Sequence, residues 1–330
     1  MSLTPSPYVC PRWLRNPHAQ SLLASSPLRS ARGRVRLRQA RAQHRPMLLT
    51  LRSNVRLQGI ASLPMHTTPR ALVLLLHGWE GSAESSYMRL TAARLLHAGC
   101  AVFRLNFRDH GGSHHLNQGL FHSNRIDEVV DAAGVIAQQW PDLPLLAAGY
   151  SLGGNFALRL ALRAPAAGLP LRHVAAVCPL LDPAGAMEQM ETGPAIYLHY
   201  FERKWRQSLA RKRALFPQAH RFGNDVLQLP MRALTDWMVR NNTDFADLEA
   251  YFDGYSIACG RLQDLQLPAD VLMAADDPVI PLAEFHRIAA YSQVTLELAN
   301  HGGHCGFIES ASLDGYAERW VAQTLLAALA

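Results

Sequence analysis

The stretch that most constrains this chain is residues 147–155, Ala-Ala-Gly-Tyr-Ser-Leu-Gly-Gly-Asn, in which Ser151 has a glycine two positions to either side. Residues 143–148 form an apolar run of strand length, and Phe156, Ala157, Leu160 and Ala161 recur beyond the serine with helical spacing. Ser151 is therefore expected on a tight strand-to-helix turn that exposes its hydroxyl, a nucleophile elbow. Gly149 and Gly153 have a steric reason in such a turn, because helix and strand pass too closely there to admit Cβ atoms.

The rest of the chain keeps the same rhythm. The fully apolar run at residues 71–76 and the stretches 100–106, 173–178, 269–275 and 294–298 read as strands. A helical stretch carrying Leu90, Ala93, Leu95 and Leu96 separates the first two. Ser123 is expected to cap a helix whose apolar face runs Ile126, Val129, Val130, Ala133, Ile136 and Trp140, and residues 311–330 close the chain as an amphipathic helix. Such alternation implies right-handed crossovers and a mostly parallel sheet with helices on both faces. Nearer the start, residues 47–51 and 55–61 alternate about Ser53-Asn54 like an antiparallel hairpin. Arg34, Arg36 and Arg38 alternate with Val35 and Leu37 as on a half-exposed strand. Residues 8–20, with Trp13, are too polar for a core helix and too aromatic for a loose tail, so they are expected to pack on the domain. Between 181 and 267 the rhythm is lost, and aromatic residues such as Tyr197, Trp205, Trp237 and Tyr251 stand among basic ones. A helical cap over the C-terminal edge of the sheet, where ligands bind in open α/β sheets, is the economical reading. The aromatics serve mainly as the cap's own core, with some available to line an acyl pocket. The expected organisation is one domain over 1–330, with an N-terminal segment and hairpin at 1–65 and the cap at 181–267.

Composition narrows the class. Apolar residues make up 49% and charged residues 18%, without low-complexity runs, which excludes a mostly disordered protein. The net charge of +6 is concentrated in arginines between 29 and 45, read as a solvated face rather than a nucleic-acid patch. Contact with an anionic membrane surface stays open. The five cysteines are scattered, without C-x-x-C spacing, so neither a disulfide framework nor a zinc ribbon is expected and a reducing compartment fits. Residues 1–15 lack the features of a signal peptide and no run is long enough to cross a bilayer, so the expectation is a cytoplasmic protein. The cluster from Asp109 to His115, with His301, His304 and Cys305, matches no metal-ligand spacing, and Gly111-Gly112 lacks the rest of a dinucleotide loop. No metal and no cofactor are expected.

A serine hydroxyl needs a base within hydrogen-bond reach, and the base needs a carboxylate to fix its tautomer. Asp276-Asp277-Pro278-Val279-Ile280-Pro281 follows the 269–275 strand, and His301-Gly302-Gly303-His304-Cys305-Gly306-Phe307 follows the last strand. Both therefore fall at the same sheet edge as Ser151, in the order Ser, Asp, His found in α/β-hydrolases. Asp277 is chosen as the acid because its Asp-Pro-x-x-Pro loop resembles the usual acid loop of that fold. Asp276 is then a turn or capping residue. His304 is chosen as the base because Gly302-Gly303 lets the backbone swing its imidazole towards Ser151, which leaves His301 a surface or hydrogen-bonding histidine. His77-Gly78-Trp79 follows the first long strand, so the amides of Trp79 and Leu152 are the candidate oxyanion donors.

The combination of Asn16-Pro17-His18-Ala19-Gln20, His77-Gly78 to Ser82, Asn106-Phe107-Arg108 with Gly112, Phe121-His122-Ser123, Gly149 to Asn155, Asp276-Asp277-Pro278 and Gly302 to Phe307 resembles the YheT-like branch of the α/β-hydrolases. It spans almost the whole chain. Two departures are Gln43-His44-Arg45-Pro46 in place of an acidic turn, and Cys178-Pro179 in place of Asn-Pro. Neither touches the triad, though the second lies near the start of the cap and bears on substrate choice. The resemblance implies an α/β-hydrolase fold, a mostly parallel eight-stranded sheet with a helical cap insertion. It also implies a serine esterase acting on short-chain acyl esters, acylglycerols or phospholipids through Ser151, Asp277 and His304. The partner is then a small-molecule ester. Two other readings keep the same fold: a binding protein without catalysis, or the same triad acting on thioesters or amides.

Overall fold

The computed structural model describes residues 3–52 and 54–329; Met1, Ser2, Ser53 and Ala330, on which parts of the N-terminal, hairpin-turn and last-helix expectations fall, lie outside the described residues. A nine-stranded sheet forms the centre, in the order β1-β9-β8-β7-β6-β4-β5-β3-β2. Its strands are β1 Leu3–Pro5, β2 Ala42–Thr50, β3 Arg56–Pro64, β4 Leu72–Leu76, β5 Ala101–Leu105, β6 Leu145–Tyr150, β7 Leu171–Val177, β8 Ala269–Ala274 and β9 Val294–Ala299. The hairpin β2–β3 and the β3–β5 pair are antiparallel, and the remaining pairs are parallel. The sheet thus has one strand more than the eight expected. The extra strand is β1, three residues pairing Leu3–Pro5 with Leu296–Leu298, too short to carry an alternation pattern.

Among the described residues twelve α-helices connect or follow the strands: α1 Pro17–Ala24, α2 Pro27–Gln39, α3 Ser86–His97, α4 Ile126–Gln139, α5 Leu152–Arg163, α6 Pro183–Thr192, α7 Ala195–Leu215, α8 Asn224–Leu227, α9 Met231–Asn242, α10 Leu248–Tyr255, α11 Phe285–Ile288 and α12 Tyr316–Ala327. β4–α3–β5 steps across the sheet in one direction, whereas β5–α4–β6 and β6–α5–β7 step back the other way. Right-handed crossovers therefore put α3 on one face and α4 with α5 on the other. α12 packs against α3, and α4 against α5. Every residue of β4, β5 and β6 is buried, and apart from Arg104 in β5, whose guanidinium donates to the Ala83 carbonyl, none is charged.

Two local expectations are corrected. The arginine-rich stretch is not a strand but helix α2, in which Ser26 Oγ accepts the Arg29 amide as N-cap and Pro27 occupies the first turn. Arg29 is fully buried against Glu318 of α12 at 2.5 Å, and Arg32 pairs with Asp314 at 2.7 Å, so this helix meets acidic partners of its own chain. Ser123 does not cap α4, whose N-cap position is Arg125. The Ser123 amide instead donates to Tyr251 Oη at 3.1 Å and its carbonyl accepts from Arg159 at 2.8 Å, which ties α10 and α5 together.

Residues 8–20, expected to pack on the domain, do so, and their second half continues into α1, begun by Asn16, whose side chain accepts the His18 and Ala19 amides ahead of Pro17. Between β7 and β8 lie α6 to α10. α7 is pinned from its far end: the Lys212 ammonium lies 2.6 Å from Asp109 and also donates to the carbonyls of His114 and Asn117. Both charged side chains are buried. No helix among the described residues is long and apolar enough to cross a membrane.

Candidate active site

β6 runs into α5 through Ser151, whose backbone is in the left-handed half of conformational space at φ 55° and ψ −121°. The crossing is as close as the glycines required. A Cβ on Gly149 would fall inside the van der Waals shell of the Gly153 carbonyl, and one on Gly153 would strike the carbonyls of Leu76 and His77 at the end of β4. The Ser151 amide donates to Val177 at the end of β7 at 2.9 Å, which fixes the turn on its other side.

The loops after β8 and β9 bring the two other candidates to the same point. His304 Nε2 lies 2.9 Å from Ser151 Oγ, and His304 Nδ1 lies 2.9 Å from Asp277 Oδ2. With Nδ1–H donating to the carboxylate, Nε2 is left to accept the serine proton. Asp277 is held by its own loop: Oδ1 accepts the Val279 amide at 2.8 Å and the Ile280 amide at 3.0 Å. Asp276, adjacent in sequence, points elsewhere; it accepts the Gly303 amide at 2.9 Å and meets His301 Nδ1 at 3.2 Å. Two carboxylate–imidazole pairs thus stand side by side, and only one touches Ser151. Burial disfavours a charged His304 ring, but the Asp277 carboxylate outweighs it and pushes the imidazole up to about 9.

The histidine loop is braced by α1. The Ser21 hydroxyl accepts the His304 amide at 2.8 Å, and fully buried Gln20 accepts the Ile308 amide at 2.8 Å. Gly303 has φ 55°, and a Cβ there would run into the Pro17 carbonyl. This gives a physical reason for the Asn-Pro-His-Ala-Gln segment: it carries the wall against which the loop of His304 is set.

The Trp79 turn is fixed by the surrounding side chains. The amides of Gly78, Glu80, Gly81 and Ser82 donate to Tyr87 Oη, His110 Nε2, the Gly78 carbonyl and Ser85 Oγ respectively. Among the described residues no acceptor stands opposite the Trp79 amide. Leu152 is the first residue of α5, so its amide also lacks an intrahelical acceptor. His77 and His110 hold this turn as neutral rings. Burial pushes His77 well below the ordinary imidazole value and His110 down to about 4. His77 Nε2 accepts the Phe107 amide and Nδ1 donates to the Gly78 carbonyl. Sequence reasoning missed the supporting roles of Ser21, Tyr87 and His110. His110 was visible only as part of a histidine-rich cluster, whose members the fold sends to separate tasks: Asp109 to Lys212, His110 to the Glu80 amide and His114 to Ser208.

An apolar cavity of about 100 Å³ opens onto Ser151 and is lined by Trp79, Leu152, Met187, Trp205, Met238 and Phe252 among others. A second, more polar one of about 230 Å³ lies on the other side of Trp79 and Ser151, against Glu80, Tyr87, Lys204 and His304. A third space between α1 and α7, bordered by Leu22, Tyr197 and Tyr200, also reaches His304.

Comparison with known proteins places the chain among relatives. The model of the alpha/beta hydrolase fold family matches residues 71–311. The candidate esterase YheT of Escherichia coli (strain K12) is 27% identical over 261 residues, 74% of this chain and 73% of that protein. Among solved structures, a Pyrococcus furiosus esterase superposes with a TM-score of 0.60 at 15% identity, covering 89% of this chain and 94% of its own. A hyperthermophilic esterase from Pyrobaculum calidifontis gives 0.58 at 16% identity, covering 96% and 98%. At those identities the two structures speak for the fold.

Proposed function

The chain belongs to the α/β-hydrolase fold family, and from that premise we propose that it is a serine carboxylic ester hydrolase working through an acyl-enzyme. The observation that carries the reading is the continuous relay from Ser151 through His304 to Asp277, with both links at 2.9 Å. In the first half-reaction Ser151 Oγ attacks the ester carbonyl while His304 Nε2 takes its proton, and Asp277 keeps the imidazole in the required tautomer. The oxyanion is received by the amides of Trp79 and Leu152, each such donor contributing about 3 kcal/mol to barrier reduction. His304 returns the proton to the departing alcohol. Water, activated by the same ring, then releases the acid.

The apolar cavity beside Ser151 supports an acyl group as the part of the substrate bound there, so short-chain or lipid-like acyl esters, including acylglycerols, are the substrate class. Helices α6 to α10 act as the cap over this cavity, since Met187, Trp205, Met238 and Phe252 come from them.

The test is turnover of p-nitrophenyl acetate, butyrate and octanoate together with labelling by a fluorophosphonate. Wild type should hydrolyse and be labelled; Ser151→Ala should lose at least about 10,000-fold in rate and all labelling. Equal rates for the two proteins would reject the assignment. An unlabelled wild type would instead favour a binding role, and a stronger rate on the matched thioesters would move the scissile bond.

A further inference from the structure

Beside the relay, and in reach of its histidine, lie two sulfur donors that ester hydrolysis does not use. Cys178 follows the last residue of β7 and Cys305 follows His304 directly; both are buried and free of disulfides. Their sulfur atoms and one ring nitrogen of His304 all lie within 4.8 Å of one another. The three come from two loops far apart in sequence, so no spacing pattern announces them. Both cysteines hold a left-handed backbone, φ 43° and 56°, so both belong to turned segments, not extended ones.

We propose that Cys178, Cys305 and His304 form a binding site for a thiophilic divalent cation, Zn2+ in particular, and that filling it withdraws His304 from Ser151. The inhibitory half of this statement rests on the hydrolase reading; the site itself rests on geometry alone. A tetrahedral zinc ion takes sulfur at about 2.3 Å and imidazole nitrogen at about 2.0 Å, which puts its ligand atoms about 3.5 Å to 3.8 Å apart. Closing the observed group onto an ion therefore asks for movements of about 1 Å or less at each side chain. The imidazole is already arranged as a metal ligand commonly is, with its Nδ1–H on the Asp277 carboxylate and Nε2 directed away from it. Ser151 Oγ, 2.9 Å from Nε2, or a water molecule would complete the four-coordinate set. The approach is the polar cavity of about 230 Å³, which His304, Cys305 and Ser151 line; Cys178 is fully buried. On binding, each thiol gives its proton to solvent as its metal–sulfur bond forms, and no electron is transferred.

The experiment uses the full chain, stripped with EDTA and titrated with Co2+. A thiolate-to-cobalt charge-transfer band should grow to one equivalent and vanish on adding Zn2+. X-ray absorption of the zinc-loaded wild type should show two sulfur neighbours and at least one nitrogen. Cys178→Ser and Cys305→Ser should each weaken Zn2+ binding by at least about 100-fold. In the wild type Zn2+ should abolish p-nitrophenyl butyrate turnover and EDTA should restore it. Ser151→Ala should keep the cobalt band, which separates the site from catalysis: absent turnover in a protein that shows the band would count against the hydrolase reading and leave the site standing. A wild type without the band, or with only oxygen and nitrogen around zinc, overturns the proposal. So does unchanged Zn2+ affinity in both cysteine variants. Should those variants fail to fold, the absorption spectrum of the wild type decides alone.

Discussion

Asp277 meets the inner nitrogen of the His304 ring, whereas Asp276, the neighbouring residue, turns its carboxylate onto the Gly303 amide and His301. The division predicts unequal losses. Asp277→Asn should lower kcat by about 10,000-fold, because an amide in that place favours the wrong tautomer. Asp276→Asn weakens one charged hydrogen bond to the histidine loop and should cost about tenfold. Saturating kinetics with p-nitrophenyl butyrate measure both, and the reverse order would transfer the acid's role to Asp276.

The same carboxylate sets the pH dependence. With His304 pushed up to about 9, the ring of the free protein is mostly protonated at neutral pH and cannot accept the serine proton. The base form grows as pH rises, so kcat/KM should climb through neutrality and level off above about 9. Profiles of kcat/KM from about pH 6 to about pH 10 test this. Asp277→Asn should shift the inflection downward, because the main attraction holding the proton is gone.

The elbow tolerates no side chain at its crossing. Gly149→Ala should destabilise the fold by more than about 3 kcal/mol, since the carbonyl it would strike belongs to the first turn of α5 and cannot yield. Gly134 provides the contrast. It lies inside α4, where a Cβ would find Leu169 at an ordinary 3.6 Å, so Gly134→Ala should stabilise by about 0.5–1 kcal/mol. Urea unfolding followed by circular dichroism compares the two.

Acyl length is read by the apolar cavity. Met238 on α9 lines it without touching the relay, and Met238→Trp fills space there. The variant should lose at least about tenfold in kcat/KM for octanoate relative to acetate, in line with the modest discrimination that methylene contacts give. An unaltered ratio would place the acyl chain in another of the spaces that reach Ser151 and His304.

Much of this molecule was legible in its sequence. The buried strands and the Gly-x-Ser-x-Gly turn are read directly from residue pattern, because a strand buried on both faces has to be mostly apolar and the crossing beside Ser151 has to be bare of Cβ atoms. The choice of Asp277 over Asp276 rests on loop resemblance; in the fold His304 meets Asp277 and His301 meets Asp276. Helix α2 was misread since five alternating residues, Arg34 to Arg38, fit a two-residue period as well as a helical one; the Ser26-Pro27 start signal upstream was the better guide. Gln20, Ser21 and His110 could not be assigned from sequence, as each acts on a backbone amide brought near only by the fold.

The pairing at one edge of the sheet joins Leu3–Pro5 to Leu296–Leu298, two segments separated by most of the described residues. During synthesis β1 emerges early and must wait, unpartnered, until β9 has been translated. The loop bearing His304 follows β9 immediately, and the Pro17 and Ser21 wall that seats it is likewise made long beforehand. Edge closure and the arrival of the imidazole thus both wait for the same stretch of chain, and on the proposed reading a nascent chain that carries Ser151 but not yet the loop after β9 lacks the partner for its hydroxyl.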